Sequence, residues 1–417
     1  MSADPFPSFR QGGRDIAGPG SRTGLRPLVL CGTLYAAGLV AAWVPWFLGF
    51  ISLDVEFSPV AWHAHELLFG FAPAVIAGFL PVTGPNRNGR PPSLGIAAWL
   101  FAAWVAGRLG VAASATVGPL ATALAALLFP LSLAAMAGRK IPVGKLRVLT
   151  LHGALCVLTG AQILFHWELW RYGQSICGTR LAVAAMAAPV MLSGNLALTS
   201  PVRFDPHRNP GKTYGVAPAP CIFTRFDGLA AGFGLLTLAA WVVQGSGRMD
   251  GKASGILLLA AGLALAVEVV RRRRQGTAGP FLFIASVTRA FIPAGFLFAA
   301  GASFTASPAY ASAALHAWTA AAIGGMILAA TARSEPSRPA LRLITLIHAA
   351  VTIAAVARIA AAFAPQQTML LMPLSGTAWI IAFLLFGIAG SRTTQTGPHP
   401  REPASTEPGH DQSWRDG

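Results

Sequence analysis

Charge is scarce in this sequence. Asp, Glu, Lys and Arg make up 11% of its 417 residues, against about 25% in an ordinary soluble domain. Acidic residues are the scarcer kind, 15 against 31 Lys and Arg, for a net charge of +16. A basic excess can serve nucleic acid, but only when the cations gather on one solvated surface. Here they fall in short stretches between apolar runs, so no nucleic-acid partner is expected. Cysteine is rare as well: Cys31, Cys156, Cys177 and Cys221 are scattered, with no C-x-x-C and no zinc spacing. Disulfides are not implied, and Cys31 and Cys156, inside apolar runs, read as inert core residues. What fills the chain instead is apolar, with 54% hydrophobic residues and a mean hydropathy of +0.57. This is the composition of an all-α, polytopic protein of the lipid bilayer.

A membrane helix needs about 20 mostly apolar residues. Twelve stretches qualify, at 27–50, 61–82, 93–112, 117–137, 146–166, 180–200, 226–244, 253–270, 280–302, 308–331, 341–364 and 369–391. The positive-inside rule tests that number. With a cytoplasmic N-terminus, 24 of the 31 Lys and Arg fall on the cytoplasmic side and 4 on the other, while Arg108, Arg289 and Arg358 lie within helices. A miscounted helix would scramble this asymmetry. The expected organisation is a basic cytoplasmic tail over 1–26, a twelve-helix transmembrane domain over 27–391 and a cytoplasmic disordered tail over 392–417. The N-terminal tail has no apolar core and does not read as a cleaved signal peptide. Leu146–His152 and Leu341–His348 open helices five and eleven with similar residues. That even offset suggests two parallel six-helix halves.

Polar groups in hydrocarbon are expensive and therefore candidates for function. The densest set is Trp62-His63-Ala64-His65-Glu66, at the mouth of helix two. His166 closes helix five, with Glu168 just beyond. His316 lies about 12 Å below the outer end of helix ten at 1.5 Å per residue, and Arg108 and Arg358 share that leaflet. His152 and His348 sit nearer the cytoplasmic face, and Arg289 is near the middle of helix nine. Neutral imidazole is a common ligand for haem iron and copper, and arginine pairs well with carboxylates. On a helix His63 and Glu66 share a face, whereas His65 is turned about 200° from His63. One histidine is expected to ligate and the other to serve a neighbouring site or to support the ligands from behind. The bland readings are hydrogen bonding at the interface for His166, backbone-bonded packing for His152 and His348, snorkelling for Arg108 and a helix-end ion pair with Arg271 and Arg272 for Glu268. The tryptophans, Trp43 and Trp379 among them, fit an interfacial belt or helix packing.

Several blocks resemble the NnrS family, bacterial twelve-helix membrane proteins associated with nitric oxide metabolism and reported to contain haem and copper. The likeness is densest from Trp62 to Pro92, through Trp62-His63-Ala64-His65-Glu66, Phe69-Gly70-Phe71, Ala74–Leu80 and Gly89-Arg90-Pro91-Pro92. Ala106–Leu109, Leu164–His166, Leu315–Ala317 with Gly324-Gly325-Met326 and Arg333, and Ala357-Arg358 resemble later helices of the family. The sequence departs from it at Met191–Asn195, from Phe283 to Pro293, where no histidine or tyrosine occurs, and at Ser334–Ser337. The resemblance implies an inner-membrane protein with both termini cytoplasmic. It also implies haem and copper held by His63, His65, His166 and His316, with Glu66 behind them and Arg108 and Arg358 beside the cofactor. His152, His348 and Arg289 are further candidates, and nitric oxide is the implied small-molecule partner. A secondary transporter built on Glu66, Arg289 and Arg358 is the alternative. A terminal oxidase or nitric oxide reductase subunit normally carries adjacent histidines, and no His-His occurs here.

Overall fold

The computed structural model describes residues 26–77, 94–138, 146–193, 224–275, 280–331 and 338–392. They form twelve helical rods in chain order, and no strand occurs among the described residues. The rods are α1 (Arg26–Phe47), α2 (Pro59–His65, Glu66–Phe71 and Ala72–Ala77), α3 (Leu94–Ala112), α4 (Ser114–Gly138), α5 (Leu146–Tyr172) and α6 (Cys177–Ser193). They continue as α7 (Arg225–Gly245), α8 (Gly251–Gln275), α9 (Pro280–Thr305), α10 (Pro308–His316, Ala317–Gly324 and Gly325–Thr331), α11 (Arg338–Phe363) and α12 (Thr368–Arg392). Eleven are long and apolar enough to cross a membrane; the sixth apolar helix, Cys177–Leu192, is shorter. The expected sixth stretch runs on to residue 200, and that end lies outside the described residues. So do Cys221, His207, His399, His410 and both tails. The described connections between odd and even helices are short, which makes those pairs antiparallel neighbours.

Burial follows the demands of lipid. Large apolar side chains such as Leu120, Leu229 and Leu236 point outward, each 73% exposed, where hydrocarbon replaces water as their solvent. The interior is lined by Ala, Gly and aromatic residues, because small residues let helix backbones approach where no hydrophobic drive exists between helices. Buried tryptophans pin neighbours together by donating to backbone carbonyls. Trp104 Nε1 reaches Gly70 O at 2.9 Å, Trp318 Nε1 reaches Ile292 O at 3.1 Å and Trp379 Nε1 reaches Ala36 O at 3.2 Å. These join α3 to α2, α10 to α9 and α12 to α1, so the last helix packs on the first.

The junction of α5 and α6 brings backbone against backbone. A Cβ on Gly178 would lie 2.6 Å from both the Cα and the N of Phe165, and backbone cannot swing aside. Gly178→Ala is therefore expected to force the two helices apart and sharply reduce the yield of folded protein, read by size-exclusion chromatography in detergent. Helix α5 also runs past His166 to Tyr172, so His166 does not close it. The extra turn brings Glu168 over the start of α6, where its carboxylate accepts hydrogen bonds from Ser175 Oγ (2.7 Å), Cys177 N (3.1 Å) and Gly178 N (2.8 Å). A carboxylate there satisfies orphan N–H groups and meets the positive end of the helix dipole. Glu168→Ala should cost about 1–3 kcal/mol, seen as a lower thermal midpoint.

Candidate functional site

Helix α2 carries the densest polar set, and its backbone changes character there. From Glu66 to Phe71 it is a π-helix, and the Ala72 N–H reaches back five residues to Leu67 O. Pro73 follows directly and has no N–H for a regular i→i−4 bond. Such wide turns recur at functional sites. A second π stretch, Ala317–Gly324, begins immediately after His316 in α10. The two lie eight helices apart and do not follow the six-helix offset of the similar helix starts.

Helical geometry sends His63 and His65 to different places. His63 faces a cavity between α1, α2, α6, α10, α11 and α12. His316, Arg358, Trp43 and Trp379 line the same cavity, with apolar Leu68, Phe71, Ile323 and Met372 around them. The His63 ring stacks on Trp43 at 3.9 Å between centroids and 24° between planes. Trp43 is itself fixed by donating to Pro59 O at 2.8 Å. The buried Nδ1 of His63 has no hydrogen-bond partner among the described residues. His316 Nδ1 lies 2.8 Å from Ser312 O. A carbonyl can only accept, so Nδ1 carries the proton and Nε2 keeps its lone pair. This is how proteins orient a metal-binding imidazole. The buried Nε of Arg358 also lacks a partner. Apolar walls, a lone pair and a cation together could hold a mostly apolar ligand that carries an acidic group.

His65 turns the other way and is fully buried. Its Nδ1 is 2.8 Å from Glu66 Oε1 and its Nε2 is 3.1 Å from His166 Nε2. The other Glu66 oxygen accepts from Tyr35 Oη and from Arg108 Nη1. A Cβ on Gly70 would meet Arg108 and come within 3.2 Å of that same oxygen, so glycine makes room for the ion pair. Phe57, Phe69 and Phe165 surround His65 at 5.4–5.5 Å. With Nδ1–H given to the carboxylate, the free lone pair of His65 faces His166. At metal–nitrogen bonds of about 2.0–2.1 Å, two nitrogens 3.1 Å apart subtend roughly a right angle at a shared ion. No group of three His, Cys, Asp or Glu is placed to hold a metal among the described residues, so this is a two-nitrogen pair.

The four histidines thus form two pairs rather than one set. His166 and Arg108 belong with His65, and Arg108 is committed to Glu66 instead of a cofactor or the headgroup region. His152 stands apart, with Nε2 3.6 Å from Cys156 Sγ, and Cys156 is exposed rather than in the core. His348 donates to Ile344 O at 2.8 Å, the packing role read from its position. Glu268 pairs with Arg272 and, at 2.7 Å, with Arg289, while Arg271 pairs with Asp227. Sequence reasoning missed Tyr35, Asp227 and Gln162. Tyr35 is a single phenol in an apolar run. Asp227 is the N3 residue of a Thr224 capping box, a signal that was there to read. Gln162 is fully buried with neither amide atom partnered, one turn before His166 on the same face.

The fold and these sites define a multi-pass helical membrane protein with paired histidines inside its bundle. The sequence profile of the NnrS protein family matches residues 20–392, and the chain belongs to that family. No curated protein matches it.

Proposed function

We propose that this protein binds haem in the cavity between α2 and α10 and acts, as an NnrS-type protein, in the response to nitric oxide. One observation carries the reading. His316 presents an oriented Nε2 lone pair in a cavity that His63, Arg358 and apolar walls complete. His63 and His316 would ligate the iron, and Arg358 would meet a propionate. Bound haem would supply an iron that could take nitric oxide in place of His63, whose Nδ1 no hydrogen bond among the described residues fixes. The chain's part is to hold His63 against Trp43, fix the His316 tautomer and keep water out with Leu68, Phe71 and Ile323. Nitric oxide, small and apolar, would enter from the bilayer. Copper, the family's second metal, would sit on His65 and His166, with Glu66 orienting His65 through Nδ1. These two nitrogens are half of a usual coordination shell, so copper rests on less than haem does.

The test is a reduced-minus-oxidised optical spectrum of the detergent-purified protein, with metal analysis on the same sample. A Soret band at near-stoichiometric haem, shifting when nitric oxide is added to reduced protein, is the expected result. Folded protein free of haem and copper would overturn the reading and leave transport as the better one. His65→Ala should leave the Soret band in place and abolish any copper.

A further inference from the structure

A second cavity lies away from both histidine pairs, between α6, α7, α8 and α9. It is lined by Met191, Ala231, Leu265, Val269, Ile292 and Pro293, with Glu268 and Arg289 as its two charged residues. Pro293 sits four residues after Arg289 in α9 and has no N–H to meet the Arg289 carbonyl, which loosens the helix at this point. Arg289 lies about 13 Å along α9 from Pro280 at 1.5 Å per residue, well below the reach of a lipid headgroup.

The ion pairs here form an alternating chain. Arg271 binds Asp227, Asp227 lies 3.5 Å from Arg272, Arg272 binds Glu268, and Glu268 accepts from Arg289 Nη2 at 2.7 Å. Three cations alternate with two anions, so one positive charge is left over. The chain has two ends of unlike surroundings. Arg271, with 27% of its side chain exposed, meets solvent or headgroups. Arg289 is 7% exposed and ends in the cavity, with Nε and Nη1 buried and without a hydrogen-bond partner among the described residues. Glu268 cannot saturate it, because the same Oε1 serves Arg272 as well. A buried cation needs a counter-ion or a full set of acceptors. Apolar cavities stay empty, whereas polar ones hold a guest.

We infer that this cavity is a binding site for a small inorganic anion of the chloride, nitrite or nitrate kind, held by the Nε and Nη1 donors of Arg289. The anion completes the charge alternation, and the apolar walls limit it to a monatomic or few-atom species. The site stands whether or not haem is bound elsewhere.

Binding of radiolabelled chloride to the full-length protein in detergent, in chloride-free gluconate buffer, tests this directly. Saturable binding of one chloride per chain is expected, displaced by nitrite and nitrate and not by gluconate. Arg289→Gln should weaken it at least tenfold. Should that variant fail to fold, Ala231→Leu fills the cavity while leaving every ion pair in place, and it should weaken binding as much. Absence of saturable binding, as for a cavity holding only water, overturns the inference. So does chloride binding that Ala231→Leu leaves unchanged.

Discussion

Replacing His316 by alanine is expected to remove the haem absorbance of the purified protein almost completely. Its imidazole is the one in this cavity whose tautomer is fixed from behind, by Ser312 O at 2.8 Å, and on the proposed haem reading its Nε2 would hold the iron. The variant should still fold, because His316 makes no hydrogen bond to another helix. His63→Ala should cost as much absorbance, but it also strips the stacking partner from Trp43. Two controls separate ligation from damage. His152→Ala, beside Cys156 and outside the cavity, should leave the spectrum unchanged. His316→Gly with added imidazole should regain the band, since a free imidazole can occupy the vacated space. A Soret band of wild-type height in His316→Ala would remove this residue from the ligand set.

Glu66→Ala is expected to destabilise the fold more than any other single substitution in the bundle. The carboxylate is fully buried and is the common acceptor for Tyr35, His65 and Arg108. Its loss strands the Arg108 guanidinium, 9% exposed, in a site with no other carboxylate paired to it among the described residues. Removing one partner of a buried pair costs about 3–5 kcal/mol, a large share of the stability of any domain. Arg108→Met in the same chain should recover much of that loss, because no bare charge is then left behind. Thermal midpoints of the two single variants and the double variant give the coupling. Strict additivity would mean that the pair is not an energetic unit.

The sequence by itself determined the number of the helices and their approximate course, the low charge of the bundle and the division of labour along α2. These are local properties. A membrane span is set by about 20 consecutive apolar residues, and the 100° step per residue turns His63 and His65 apart in whatever bundle they occupy. The family could be read too, because the block from Trp62 to Pro92 is contiguous. Partnership across helices could not. His63 and His316 share a cavity although 253 positions separate them, and only the packing of α2 and α10 against α1, α11 and α12 brings them there. The same holds for His65 with His166, for Tyr35 and Arg108 on Glu66, and for Arg289 at the buried end of an ion chain that starts at Arg271. A polar side chain in hydrocarbon must find some partner. Several were available on paper to each, and the tertiary structure alone decided which one the helices bring within hydrogen-bonding distance.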